Sequence, residues 1–567
     1  MAEAGSESTP GESGTPGESG TPGESGTRDG DRRANRRVVG WTLTGLAALL
    51  VLFALNAPNE TDRLTPWTFV RLPIEGFVLA GLVLALPARP RRVAAASAGA
   101  ALGVLTILKI FDMGFYAVLD RPFDPVVDLA LLDAATNFIT QSYGQFGTVL
   151  AVVGATVLAI AVLVLMPLSV LRLTRLAVPH RAPVLRTTAV LGVVAVGCAV
   201  FGVPVVPDPP AAALTYNHVL QAQASLRDRQ AFAAEIADDA FRDTPDGELL
   251  TALRGKDVVV TFVESYGRDV VEEPEFAPEI GDLLEAGDRR LTAAGFASRS
   301  AFLTSPTAGG TSWLAHATLL SGVWVDDQQR YNMLVGSDRL TLGSAFRRAD
   351  WRTVGVMPGV TWEWPQGESF FGYDSIYGSY NIEYRGPEFR WADMPDQYAL
   401  SYFQRTERAI PSRDPVMAEV SLVSSHIPWT SIPRLVDWDE VGDGSVFDTM
   451  AGEKPGVWSD RTRTRAAYRE SIEYSLSTLI SYIEEYGDED LVLVFLGDHQ
   501  PSPVITGADA SRDVPVTIVA GDPAVLDRTA GWDWEPGLHP GPQAPVWPMD
   551  AFRDQFLTAF GSPAPPT

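Results

Sequence analysis

Five apolar runs dominate the first two hundred positions: about Val38–Asn56, Phe69–Leu86, Val93–Leu119, Gly147–Leu171 and Thr187–Val206. Each is close to the ~20 residues a helix needs to cross a hydrocarbon core. The pattern therefore predicts a five-helix transmembrane region over residues 38–206. The first run starts late, no small-residue cleavage site follows it, and more runs come after, so it does not read as a cleavable signal. Past residue 206 the pattern changes. Residues 207–255 open on Pro207 and continue at mixed helical spacing, which predicts a linker helix. Then come short runs rich in β-branched residues, Asp257–Glu264, Leu491–Leu496 and Val514–Ala520, as expected of strands buried on both faces. Helical stretches such as Leu340–Arg348 and Arg463–Glu485 lie between them. This alternation predicts an α/β fold with a mostly parallel central sheet over residues 256–567, and in such sheets chemistry gathers at the carboxyl ends of the strands.

The basic residues orient the chain. Arg28, Arg32, Arg33, Arg36 and Arg37 precede the first run, Arg89, Arg91 and Arg92 separate the second from the third, and Arg172, Arg175, Arg181 and Arg186 separate the fourth from the fifth. The opposite loops carry Arg63 and Arg121. The excess of Lys and Arg marks cytoplasmic loops, which predicts a multi-pass cell-membrane protein with a cytoplasmic N-terminus and an extracytoplasmic domain after Val206. Residues 1–37 include a repeated Thr-Pro-Gly-Glu-Ser-Gly segment without large apolar side chains and are expected to be a disordered cytoplasmic tail. Within the runs, Lys109 and Asp112 stand three residues apart and could pair on one helical face.

Charge and cysteine content exclude some functions. Residues 207–567 hold 28 Lys+Arg against 55 Asp+Glu, so a nucleic-acid partner is not expected. The single cysteine, Cys198, lies in an apolar run and leaves no cysteine-ligated zinc or catalytic thiolate for the soluble part.

Polar residues cluster at strand ends. Glu264 closes one β-branched run, and Asp498-His499 follow another after Gly497. A carboxylate or a carboxylate–imidazole pair at such a place suits a metal ligand, and equally an ordinary strand terminator. Gly309-Gly310 precede Thr311-Ser312, which open an apolar helical segment. A hydroxyl there would face free N–H groups, either as part of an anion site or as an N-cap. His316, five residues after Thr311, is expected to pack on its helix, and the aromatic stretch Trp362–Trp391 to serve core and lid packing.

Taken together, Glu264, Gly310-Thr311-Ser312, Ser425-His426 and Gly497-Asp498-His499, in this order behind five apolar runs, resemble the lipoteichoic-acid synthase and phosphoglycerol transferase branch of the alkaline phosphatase/sulfatase superfamily. The resemblance spans essentially the whole chain. It implies one divalent cation held by Glu264, Thr311, Asp498 and His499, with Mn²⁺ favoured and Mg²⁺ or Zn²⁺ compatible. It also implies Thr311 as nucleophile and His426 in the substrate pocket, protonating a leaving oxygen or bonding the phosphate. The synthase-like Trp-x-Arg segment corresponds here to Trp362-Glu363-Trp364, so Trp362 is a candidate substrate contact and the arginine is missing. No Cys/Ser-x-Pro-x-Arg context stands near Thr311, which disfavours sulfate-ester chemistry. The resemblance thus implies a membrane-anchored, metal-dependent phosphoryl or phosphoglycerol headgroup transferase acting on membrane lipid or lipid-linked envelope polymer. A phosphodiesterase or phosphatase using the same site, and a non-catalytic envelope scaffold, remain alternatives.

Overall fold

The computed structural model describes residues 25–201, 211–389, 393–429, 432–450, 460–507 and 510–562. The tail through residue 24, the junction at 202–210 and Trp391 lie outside these ranges.

The N-terminal part consists of α1 (Ser25–Asn56), α2 (Ile74–Ala85), α3 (Ala88–Leu119), α4 (Leu132–Ala177) and α5 (Arg181–Val200). Four stretches among the described residues are long and apolar enough to cross a membrane: Asn35–Asn56, Pro66–Ala85, Ala88–Leu119 and Gly144–Cys198. This corrects the expected five. The fourth and fifth runs fall within the one 55-residue stretch, because the turn Val178–His180 keeps a right-handed helical backbone at Ala177, Val178 and Arg181. Large apolar side chains such as Leu150 and Val193 point outward from these helices, as a lipid-facing surface requires and an aqueous one does not tolerate.

Lys109 and Asp112 do not pair with each other as expected. Lys109 Nζ donates to the carbonyls of Ala54 (3.0 Å) and Ala57 (2.6 Å) at the end of α1. Asp112 accepts from Asn59 Nδ2 (3.3 Å) and from the Phe123 N–H (3.0 Å), and faces His218 Nε2 at 3.1 Å. Both charges are buried and satisfied by neighbouring elements. His218 lies on α6 (Ala211–Ala237), the expected linker helix. That helix also ties the two parts together. Ser225 Oγ donates to Asp124 (2.6 Å) beside the membrane helices, and Asp228 pairs with Arg330 in the other direction.

The C-terminal part is built on nine strands: β1 (Asp257–Val263), β2 (Ala297–Thr304), β3 (Arg352–Met357), β4 (Ser375–Gly378), β5 (Val416–Leu422), β6 (Leu491–Gly497), β7 (Asp513–Ala520), β8 (Glu535–Pro536) and β9 (Val546–Pro548). Their order is β4-β3-β5-β1-β6-β7-β2-β8, with β9 also paired to β2. From β4 to β6 every neighbour is parallel, whereas β7 runs antiparallel to both β6 and β2. The sheet is therefore mixed. The connection from β6 to β7, residues 498–512, carries the short helix Pro503–Thr506 among the described residues, and the chain returns antiparallel. Helices cover both faces, and β1 and β6 are buried along their whole length, which is why they read as unbroken apolar runs. Glu264, Trp362, His426 and Asp498-His499 all follow the carboxyl ends of parallel strands and so share one edge of the sheet.

Candidate active site

β1 and β6 lie side by side with Val263 opposite Gly497. The next residue on each strand is then a carboxylate, and Glu264 meets Asp498. Gly497 permits this close approach, because a Cβ there would stand 1.8 Å from the carbonyl oxygen of Tyr266. Ligand atoms of Glu264, Asp498 and His499 lie within 4.8 Å of one another, and all three residues are buried.

Hydrogen bonds fix which atoms face inward. Asp498 Oδ1 accepts the N–H groups of Ser265 and His499, both at 2.7 Å, while Oδ2 lies 3.5 Å from His499 Nε2. Glu264 Oε1 accepts from Ser265 Oγ (3.0 Å) and lies 3.5 Å from the same Nε2. His499 Nδ1 is 2.8 Å from the carbonyl of Gln500, so Nδ1 carries the proton and Nε2 presents its lone pair to the carboxylates, as a metal-ligating histidine does.

This cluster holds more negative charge than its surroundings offset. Burial pushes the Asp498 carboxyl up to about 6, with the Glu264 charge adding to the rise and His499 and His316 opposing it. Burial alone would lower His499, but the Asp498 and Glu264 charges override it and the imidazole is raised. Two carboxylates and one imidazole, converged and dry, match the donor set of a hard or borderline divalent cation. Glu264, Asp498 and His499 would hold such an ion.

The hydroxyl arrives from β2. Beyond Thr304 the chain is pinned to the loop after β6: Ser305 Oγ donates to the Asp498 carbonyl (2.6 Å), and the Gly309 N–H to the Gln500 carbonyl (2.8 Å). Gly309 has φ +72°, and a Cβ on it would fall 1.6 Å from the carbonyl oxygen of Val118 near the end of α3. Only glycine fits that junction. Thr311 then takes a left-handed conformation (φ 62°, ψ 40°), and the helix Ser312–Ser321 begins.

Thr311 and Ser312 turn their hydroxyls to different partners. Its Oγ1 is 2.6 Å from Thr307 Oγ1 and 2.5 Å from the Gly310 carbonyl. Ser312 Oγ is the hydroxyl at the cluster, donating to Glu264 Oε2 at 3.0 Å and lying 3.2 Å from His499 Nε2. The cause is the backbone: the left-handed turn at Thr311 aims its side chain back along the loop, and the first helical residue takes the inward position.

His426 sits in the loop after β5. Ser425 Oγ donates to the Glu264 carbonyl (2.6 Å), and Asp396 Oδ1 accepts the N–H groups of Val423 and Ser424, both at 2.9 Å, which braces this loop against the cluster. Burial lowers the His426 pKa to about 4; the Ile427 carbonyl opposes the shift, His499 adds to it and Asp498 opposes it. His426 Nδ1 faces that same carbonyl, so in the neutral ring Nδ1–H donates and Nε2 is an acceptor. The expected general acid is therefore unprotonated at neutral pH. Trp362, in the loop after β3, is 66% exposed.

His316 packs as expected, stacked on Phe262 with ring centroids 3.7 Å apart. Its partner Glu419 was not anticipated. The signal was present as a lone carboxylate inside the apolar strand Val416–Leu422.

No family model matches the chain, and no curated protein does. Solved structures do. The lipoteichoic acid synthase LtaP of Listeria monocytogenes is 15% identical, with 58% of this chain and 77% of that chain covered at a TM-score of 0.37. An alkaline phosphatase superfamily protein of Vibrio parahaemolyticus is 15% identical, covering 52% and 68% at a TM-score of 0.31. The Streptococcus pyogenes phosphoglycerol transferase GacH is 11% identical, covering 58% and 91% at a TM-score of 0.32. The chain is thus similar to a lipoteichoic acid synthase, an alkaline phosphatase superfamily protein and a phosphoglycerol transferase. At these scores the likeness carries no argument about chemistry, which rests on the site's own geometry.

Proposed function

We propose that this protein is a membrane-anchored, metal-dependent transferase of phosphoryl-type headgroups that acts on membrane lipid or lipid-linked envelope polymer. One observation carries the reading. A serine hydroxyl at a helix start contacts a buried Glu–Asp–His cluster, on a loop that rests against the end of a membrane helix.

When bound, a divalent cation would lower the pKa of a hydroxyl beside it and offset charge developing on phosphoryl oxygens. The chain's residues do the rest. Ser312 supplies the attacking oxygen, and the opening N–H groups of its helix face a phosphate. His499 and Asp498 keep their inward atoms free through bonds on their far sides. His426 stands on the loop that Ser425 ties to the Glu264 carbonyl. Attack on phosphorus would give a phosphoseryl enzyme, which an acceptor alcohol then discharges; water in its place gives hydrolysis.

Thr311 is a second reading for the nucleophile. It holds that position in the motif resemblance, and a β-branched residue at φ 62° is a strained outlier of the kind that gathers at functional sites. Mass spectrometry of the purified protein after incubation with phospholipid tests both, since the modified residue is either Ser312 or Thr311. No adduct on either sinks the covalent route.

The orientation belongs to the same proposal. Arg172 reaches the Gly40 carbonyl and Arg181 the Ala85 carbonyl, which supports placing the three basic segments on one side, the cytoplasm. A straight helix of 55 residues would run about 80 Å, against a hydrocarbon core of ~30 Å. This stretch is therefore too long for one straight crossing, and with Val178–His180 among the basic segments the reading leaves residues 256–567 outside. Protease added to wall-stripped cells should remove them; protection would refute the orientation.

A further inference from the structure

The linker helix α6 has one end in each part of the protein. Ala211 and Leu214 pack with Ala54, Leu102, Leu105 and Met166 of the N-terminal helices, while Phe232 and Ile236 belong to the core of the C-terminal part. At 27 residues the helix is a rod about 40 Å long. Arg339 bolts down its far end, donating to the carbonyls of Glu235 and Asp238, both at 2.9 Å. The same guanidinium donates to the carbonyls of Ser321 (2.7 Å) and Gly322 (2.9 Å), where the helix that opens at Ser312 ends. Whatever fixes the near end of α6 therefore bears on the helix of the candidate site.

The near end is fixed by His218, which shares a face with Ala211 and Leu214 and is buried. Its Nε2 lies 3.1 Å from Asp112 Oδ2 on α3, the oxygen that also accepts Asn59 Nδ2 at 3.3 Å. A carboxylate only accepts, so Nε2–H is the donor and Nδ1 is left as an acceptor. Nδ1 is buried and has no partner among the described residues. Asn59 Oδ1, on the amide beside it, is in the same condition. So are both amide atoms of Asn56, which stands between the two carbonyls that Lys109 binds.

Unpartnered acceptors thus outnumber unpartnered donors here, and each is destabilising. One more proton, on Nδ1, turns an acceptor into a donor and gives an amide oxygen a partner. If the contact were only a peg, a pair of amides would serve without placing ionisable groups in a stretch of membrane-crossing length. The charges around the ring come from each neighbouring element. Asp112 and Lys109 stand on α3 and Asp124 on the loop after it, while Glu75 of α2 meets the first turn of α6 at the Ala212 N–H (3.5 Å). The hydrogen bond to Asp112 raises the His218 pKa above its ordinary value; burial opposes the rise, and the charges of Asp112 and Asp124 add to it.

We propose that His218 and Asp112 form a proton-operated clasp: the doubly protonated imidazole locks α6 to the membrane helices and steadies the candidate site, and loss of the proton loosens both. A group whose folded pKa is raised contributes stability that is whole below its unfolded value, about 6.5 for histidine, and is lost as pH rises through the folded value. The clasp is tight on the acid side of that range and slackens as pH climbs. Its effect on turnover, though not the clasp itself, rests on the function proposed above.

The test reads hydrogen–deuterium exchange of Ala211–Ala237 in the full-length protein in detergent, from about pH 5.5 to about pH 8.5, corrected for the intrinsic pH dependence of amide exchange. Protection of this helix should fall severalfold in one step as pH rises. His218→Gln keeps an N–H donor for Asp112 but takes no second proton, so its protection should be low and flat across the range. A flat profile in the wild type, or a step that survives in His218→Gln, overturns the proposal. If His218→Gln does not fold, Asp112→Asn carries the test. It removes the charge that favours the second proton, so the step should move to lower pH, and an unmoved step overturns the proposal. Phospholipid headgroup release should decline over the same pH interval as the helix loosens. Exchange is read without turnover, so a step in exchange with no release at any pH would defeat the parent reading and leave the clasp standing.

Discussion

The carbonyl oxygen of Val118, near the end of a membrane helix, fills the space that a side chain on Gly309 would occupy. The loop leading to Thr311 and Ser312 is thereby seated on the N-terminal helices. Gly309→Ala should force the two apart, because the residue combines a positive φ with a contact of 1.6 Å from its missing Cβ. Phosphodiester turnover should fall sharply while the sheet remains folded. A wild-type rate in this variant would show that the seat does not position the site.

The two hydroxyls at the helix start separate cleanly by substitution. Ser312→Ala should abolish turnover and leave folding and membrane insertion intact, since a few atoms at a polar site are lost. Thr311→Ala should retain substantial activity, changed only by relief of strain and loss of the bond to Thr307. Headgroup release from phospholipid is the assay, and the reverse pattern would make Thr311 the nucleophile.

Metal removal gives a third measurement. Chelation should end activity and lower the unfolding temperature, with Mn²⁺ restoring both; an ion present at 100 times its dissociation constant stabilises by about 2.7 kcal/mol. Asp498→Asn should lose bound metal by elemental analysis, because the converged donor set keeps one carboxylate in place of two. Full metal retention by that variant would remove Asp498 from the ligand set.

A fourth outcome concerns acid stability, away from the site. Asp257 opens β1 and is buried against Arg413 (2.7 Å) and Arg408 (3.0 Å), with the Val416 N–H also donating to it at 3.0 Å. Burial pushes this carboxyl up, yet Arg413, Val416 and Arg408 hold it below its ordinary value. A depressed folded pKa contributes stability that is present above the unfolded value of about 3.9 and is lost as pH falls through the folded one. Asp257→Asn should cost about 3–5 kcal/mol at neutral pH, the range for a broken buried pair, and flatten the decline below about pH 4. Denaturant unfolding at several pH values checks it.

Much of this was legible from residues alone. β1, β6 and β7 stand out as β-branched runs because both of their faces are buried, and Glu264 and Asp498-His499 stand out because each interrupts such a run at its end. Strand direction was not legible. Nothing in Asp513–Ala520 says that it returns antiparallel, since a fully buried strand reads as the same apolar run in either direction. Which of Thr311 and Ser312 faces the cluster turns on the sign of one backbone angle, and the sequence offers Gly-Gly-Thr-Ser without saying which hydroxyl the turn points inward. The continuity through Val178–His180 was hidden for a related reason, since Arg and Pro suggested an interruption where the backbone stays helical. Glu419 was visible as an odd charge in an apolar strand, but its partner on a helix a hundred residues earlier was not.

The position of β7 has a consequence for the order of events as the chain folds. β7 lies between β6, which carries Asp498 and His499, and β2, which carries the Ser312 loop, yet it follows both in sequence. An emerging chain can hold the acid–imidazole pair and the hydroxyl at the same time and still be unable to bring them into register. Only when Asp513–Ala520 has been threaded between the two strands does the site close. Long-range pairing of this kind is slow, so the cluster and the Ser312 loop come together only after nearly all of the chain has been made.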